Sequence, residues 1–127
     1  MADWTKAELE RIGASIHLEI QIARENGTLR KPTTIWVVCV GDDLFVRSYL
    51  GRESTWFRHA QQQHRGCISA GGIAKDVTFV DVSDDQTLTR VIDAAYRSKY
   101  QRYSPTYLEP MITPKARAAT LKLVPWK

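Results

Sequence analysis

Between residues 16 and 49 three strand-like runs succeed one another with no helix-length segment between them. A parallel strand pair needs a crossover of a dozen or more residues, usually helical, so these runs must pair antiparallel through turns. Ile16, Leu18, Ile20 and Ile22 alternate with His17, Glu19 and Gln21, the two-residue period of a half-buried strand. Asn26-Gly27 then supplies the positive φ values of a tight turn. After Pro32, the run TTIWVVCV is nearly continuous and β-branched, as a strand covered on both faces would be. Gly41-Asp42-Asp43 makes the next turn. LFVRSY alternates again, with Leu44, Val46 and Ser48 on one face and Phe45, Arg47 and Tyr49 on the other.

Helical patterns surround these strands. Thr5 and Glu8 match the S/T-x-x-E capping box, Leu9 and Ile12 come next at helical spacing, and Gly13 predicts an early end. A second helix is expected from Ser54, a suitable N-cap, to a stop at Gly66. CISA and IAKDVTFVDV flank Gly71-Gly72, a strong hairpin signal. Ser83 with Gln86 reads as another capping box, before an apolar stripe of Leu88, Val91, Ile92, Ala95 and Tyr96 that runs on towards Tyr100 and Tyr103. Pro105, Pro110 and Pro114 break up the next segment, and AATLKLV closes the chain as a last strand. Six short strands joined mainly by hairpins predict an α+β fold, a small antiparallel barrel of about six strands with flanking helices. Closure removes exposed edges. A length of 127 residues suits a single domain, 1–127, able to bury a real core.

A net charge of +4, with basic and acidic residues alternating along most of the chain, shows no basic stripe for nucleic acid. The partner class expected is a small molecule, with no nucleic acid and no membrane. Cys39 and Cys67 are too few and too distant for a metal motif or disulfide framework, and both sit in apolar runs where a free thiol behaves as a small hydrophobe. The first fifteen residues are charged throughout and no run approaches a membrane span, so a cytoplasmic setting is expected. His59 and His64 stand five apart, off the spacing of a helical metal pair, and no metal is expected. No G-x-S-x-G, P-loop, G-x-G-x-x-G or C-x-x-C occurs.

Candidate functional residues cluster in RSYLGRESTWFR. Arg47 shares a strand face with Phe45 and Tyr49 beside the turn into Arg52 and Arg58. A guanidinium there suits a phosphate or carboxylate, or equally a salt bridge to a neighbouring strand. Backbone amides at the start of the Ser54 helix would add to an anion site. Trp36 and Trp56 are read either as core or as walls of an aromatic pocket, and Tyr96, Tyr100, Tyr103 and Tyr107 as pocket closers or residues of a helix–barrel seam. His17 and Glu19 share a polar strand face, as a general-base pair would, and His59 is a further candidate base. If that face points outward they are simply solvated.

The segments LRKPTTIWVVCVGDDLFVRSYLG, STWFRHA, AGGIAKDVTF, IDAAYRSKYQRY and ATLKLVP together resemble a bacterial family known as domain of unknown function 2255, over nearly the whole chain. That family implies no activity. The order R-x-P-x-T, W, G-D-x-L-x-V, S, G, W-[FY] is similar to the deazaflavin-dependent nitroreductases of the flavin-binding split-barrel superfamily. This second resemblance implies a split barrel holding a flavin (FMN) or deazaflavin for oxidoreductase chemistry. It assigns Arg30, Lys31, Thr33, Thr34, Ser48 and Gly51 to the phosphate end, helped by Arg47, with Trp36 and Trp56 flanking the ring. It also raises a possible homodimer. The loop YLGRES departs from the paired glycines usual there, and His59 and Ala60 stand where Asn-Leu is common. Two alternatives remain open: a cofactor-independent acid/base enzyme using His17, Glu19 or His59, and a non-catalytic small-ligand binding module.

Overall fold

The structure, a computed structural model, describes residues 3–126. Helix α1 (Lys6–Ala14) leads into strands β1 (His17–Ile22), β2 (Thr33–Val40) and β3 (Asp43–Arg47). A 3-10 turn (Gly51–Glu53) and helix α2 (Thr55–Gln63) precede β4 (Arg65–Ala70) and β5 (Ile73–Asp81). Helix α3 (Gln86–Lys99), the short helices α4 (Pro105–Leu108) and α5 (Pro114–Arg117) and strand β6 (Thr120–Pro125) complete the chain, with a 3-10 turn (Glu109–Ile112) between α4 and α5. All strand pairs are antiparallel and the sheet closes in the order β1-β2-β3-β6-β5-β4, the α+β barrel that the strand pattern predicts.

Alternation in the strands decides what fills the barrel. Leu18, Ile20 and Ile22 of β1, Leu44 and Val46 of β3 and Leu121 and Leu123 of β6 all point into one buried cluster. Each such side chain contributes roughly 1.5–3 kcal/mol by leaving water. Helix α1 joins this core through Ile12, and its start is held by the expected capping box: Glu8 N–H donates to Thr5 Oγ1 at 3.1 Å and Thr5 N–H to Glu8 Oε1 at 2.8 Å. Phe57 and Ala60 of α2 enter the same core.

A second core lies outside the barrel. Val38 of β2 and Phe45 of β3 are register partners, and Ile92 and Tyr96 of α3 with its C-cap Tyr100 pack on them together with Met111 and Ile112. This explains why TTIWVVCV reads as covered on both faces.

Three local expectations are corrected. The cap of α3 is Asp85, whose carboxylate accepts from Leu88 N–H at 3.0 Å, and not the Ser83–Gln86 box. The Ser83 hydroxyl instead accepts from Thr120 N–H at 3.0 Å, tying the helix entry to β6. Helix α2 stops at His64, in the left-handed region at φ 60°, and not at Gly66. Gly66 belongs to β4, where a Cβ would lie 2.1 Å from the Gln21 carbonyl oxygen, so close strand approach demands the glycine. Finally, Cys39 and Cys67 are half-buried rather than fully buried, and desolvation raises both thiols.

The outward face of β3 carries Arg47, 1% exposed. A buried guanidinium is costly unless its donors are satisfied. Its Nε donates to Thr120 Oγ1 at 3.0 Å and NH2 to the Thr89 carbonyl at 3.0 Å. NH1 donates to Asp93 Oδ1 at 2.5 Å and to the Met111 carbonyl at 3.0 Å. One side chain therefore joins β3, β6, α3 and the turn before α5. Asp93 is also shared with Arg117 of α5, whose Nε donates to Oδ2 at 2.8 Å.

Replacing Arg47 with Met leaves the buried Asp93 carboxylate with only the partly exposed Arg117 as partner, so Arg47→Met is expected to cost about 3 kcal/mol in urea unfolding, with Asp93→Ala costing a similar amount. The double variant Arg47→Met/Asp93→Leu should cost less than the sum, because neither change then leaves a lone charge. A loss below about 1 kcal/mol for either single change would mark the pair as no stronger than a surface bridge. Lys99 offers a pH test. Burial pushes its pKa down to about 8, while its Nζ donates to the Val37 carbonyl at 2.6 Å. The unfolded chain holds that proton up to roughly pH 10.4. Below about pH 8 both states are protonated and the fold carries the full cost; from there towards about pH 10 the cost fades and stability rises. The two raised thiols act in the opposite direction in an overlapping range. Wild type should therefore be compared with Lys99→Met, and should gain stability on that variant between about pH 8 and pH 10.

Candidate functional site

A groove of about 650 Å³ opens on the barrel wall where β2, the loop after β3, the start of α2 and the 106–111 segment meet. That volume lies within the usual range for small-molecule sites. Its floor and sides are mainly apolar: Ile35, Trp36, Trp56, Pro110 and Met111. Trp36 is held rigidly. Tyr100, the C-cap of α3, stacks on it with centroids 3.8 Å apart and planes 2° off parallel, and Tyr103 approaches at 5.4 Å. The Tyr100 hydroxyl is itself pinned, accepting from Val37 N–H at 3.2 Å and donating to the Ile16 carbonyl at 2.7 Å. Burial raises the pKa of the Tyr96 and Tyr100 phenols, so both stay neutral. These two tyrosines form the helix–barrel seam, whereas Tyr107 stands at the groove and is exposed.

Besides His17 and Arg47, the polar side chains in the groove carry hydroxyls. Thr33 and Thr34 come from the first residues of β2, and Ser48 and Ser54 face each other across the Tyr49–Leu50 bend. Ser48 donates to Ser54 Oγ at 2.7 Å, and Ser54 makes no side-chain cap on α2. The first-turn amides of α2 are therefore left without that partner at the groove, where orphan N–H groups and the helix dipole favour an anion.

Of the residues assigned to cofactor binding, Thr33, Thr34, Trp36, Arg47, Ser48 and Trp56 come together in this groove, as does His17. Arg30, Lys31 and Gly51 do not line it, nor do Glu19 and His59. Arg47 reaches the groove wall, but its guanidinium is committed to Asp93, Thr120 and two carbonyls. Arg52 is turned away onto Asp81 at 3.0 Å and the Ala118 carbonyl at 2.7 Å. The arginines of RSYLGRESTWFR therefore do not converge on one point. Gly51, at φ 83°, serves the bend: a Cβ there would sit 2.5 Å from the Lys115 side chain.

His17 and Glu19 are both exposed on the outer face of β1 and make no ion pair with each other among the described residues. His59 is half-buried on α2, where desolvation, then Arg30 and Arg58, hold its pKa below the ordinary imidazole value. Among the described residues, no three His, Cys, Asp or Glu side chains gather in a way that could hold a metal, and no helix is long and apolar enough to cross a membrane. Sequence reasoning did not place Leu50, Thr106, Pro110 or Met111 at the site. The prolines at 105, 110 and 114 signalled only a broken segment; the short turns at 105–108 and 109–112 bring Thr106, Tyr107, Pro110 and Met111 to the groove.

Several solved structures share this fold. A conserved hypothetical protein from Mycobacterium tuberculosis superposes with a TM-score of 0.67 at 14% identity, covering 99% of this chain and 83% of that one. An FAD-binding protein from Mesorhizobium loti gives 0.59 at 12% identity, covering 98% and 91%. A pyridoxamine 5'-phosphate oxidase-related, FMN binding protein from Nostoc punctiforme gives 0.53 at 16% identity, covering 99% and 81%. At these identities the likeness is one of fold. No curated protein matches the chain. Residues 8–123 match the family model described as an uncharacterized protein conserved in bacteria (DUF2255), and the chain is a member of that family.

Proposed function

We propose that the groove binds the ring system of a flavin, or of the similar deazaflavin, and that the protein presents it for oxidoreductase chemistry. The observation that carries this reading is the Trp36 ring, fixed by Tyr100 behind it and lining a largely apolar groove beside the hydroxyls of Thr33, Thr34, Ser48 and Ser54. A flat heteroaromatic ligand suits such a wall, since aromatic contacts add roughly 0.5–1.5 kcal/mol beyond burial. The fold shared with FAD-binding and FMN binding proteins gives further support.

The residues fit the ring end of the ligand better than a strongly charged end. Trp36 and Trp56 would bound the ring, while Thr33, Thr34 and Ser48 would donate to or accept from its polar edge. The uncapped amides at the start of α2 would receive a phosphate, in place of the committed Arg47. When bound, the flavin would itself supply hydride or electron transfer. The chain's part is then to orient the ring, exclude water from one face with Met111 and Pro110, and place His17 where it could hold or move a proton.

Titration with FMN, FAD and a deazaflavin, followed by fluorescence quenching and by Tm, tests this directly. At least one should bind saturably and stabilise the protein by about 2.7 kcal/mol at roughly a hundred times its Kd. Trp36→Ala should weaken binding by roughly 1–3 kcal/mol with the fold intact, through lost stacking and burial. If none of the three binds or raises Tm, the flavin reading is wrong. Turnover of a substrate without any cofactor, abolished by His17→Ala, would then favour the acid/base alternative.

A further inference from the structure

We propose a second binding site, between α3 and α5, for a phosphate group carried free or as a small monoester. A separate cavity of about 460 Å³ lies there, lined chiefly by Ser83, Gln86, Thr89, Arg90, Asp93 and Arg117. Gln86, Arg90 and Asp93 fall at i, i+4 and i+7 of α3 and so share one face, with Arg117 facing them from α5.

Arg117 is set up to grip an oxyanion. Its Nε is fastened to Asp93 Oδ2 at 2.8 Å, and among the described residues its two terminal nitrogens make no hydrogen bond. Fixing Nε orients the guanidinium plane and leaves a fork of donors, the geometry that phosphate and carboxylate prefer. Arg90 is exposed and makes no ion pair among the described residues. The one acidic lining group, Asp93, already has both oxygens occupied by Arg47 and Arg117. With Arg47 pairing Asp93 from beyond the cavity, two lining guanidiniums, Arg90 and Arg117, stand against that one carboxylate.

The independent sign of a missing partner is Thr89. It is 7% exposed, lines this cavity, and among the described residues its Oγ1 has no hydrogen-bond partner. Buried hydroxyls are rarely left so. The cavity is larger than one phosphate needs, which favours a monoester.

Calorimetric titration with inorganic phosphate and with glycerol phosphate, at ionic strength held constant with chloride, tests the site. Saturable binding is expected for wild type. It should weaken at least about tenfold in Arg90→Gln and in Arg117→Gln, since each removes a charge-assisted contact. Arg117→Gln also breaks the contact to Asp93, so Arg90→Gln, which touches no structural partner, carries the test if the former unfolds. Lys115→Gln, an exposed cation of α5 outside the cavity, should leave affinity unchanged, as should Trp36→Ala in the flavin groove. Tighter binding of glycerol phosphate than of phosphate would assign an ester; equal affinity would assign the free ion. No saturable binding to wild type, or an affinity unaltered by Arg90→Gln, overturns the proposal.

Discussion

The buried Arg47–Asp93 pair is the interaction on which the arrangement outside the barrel depends. The barrel interior is filled by apolar side chains and does not contain it. Helix α3 and the proline-rich connection, by contrast, have to be seated on a strand face that carries a guanidinium. Burying that charge becomes tolerable because Thr89, Asp93, Met111 and Thr120 each accept from it, and those acceptors come from three different parts of the chain. An apolar contact would allow the helix to slide. Directional hydrogen bonds to one fork allow a single placement.

That placement creates both cavities. Arg47 lies on the wall of the aromatic groove, and Asp93 lies on the wall of the cavity beyond it. The ion pair is the partition between them. It fixes α3 so that Tyr100 stacks on Trp36 and turns that ring into a rigid wall, and it fixes Arg117 through the second oxygen of Asp93. Because the pair is internally satisfied, the positive charge of Arg47 is committed to structure. The groove keeps hydroxyls, His17 and backbone amides as its polar groups, which suits an aromatic ligand with a modest polar edge.

The barrel was legible in the chain because strand alternation and turn chemistry are local. Leu18, Ile20 and Ile22 point inward for the same reason that His17 and Glu19 point outward, and Gly71-Gly72 adopts φ values of 58° and 80° that few other residues accept. Caps were less legible. Ser83 sits two residues before the true cap because β6 claims its hydroxyl, a tertiary contact that no spacing rule contains. Gly66 looked like a helix stop, although its real reason is the approach of Gln21 from another strand.

The sequence by itself determined the antiparallel barrel and the placing of Arg47 on the β3 face opposite Leu44 and Val46, both from periods and turns within single segments. That Thr33, Thr34, Trp36, Ser48 and Trp56 stand near one another was implied only by the resemblance to the deazaflavin-dependent nitroreductases. Only the tertiary structure decided that Arg47 faces Asp93 rather than a ligand, and that Arg52 turns away onto Asp81. It also decided that residues 106–111 roof the groove. The physical reason is that a charge takes the partner that relieves its desolvation most completely. Which partner that is depends on residues 46 positions away in the chain, brought near by packing and not by sequence.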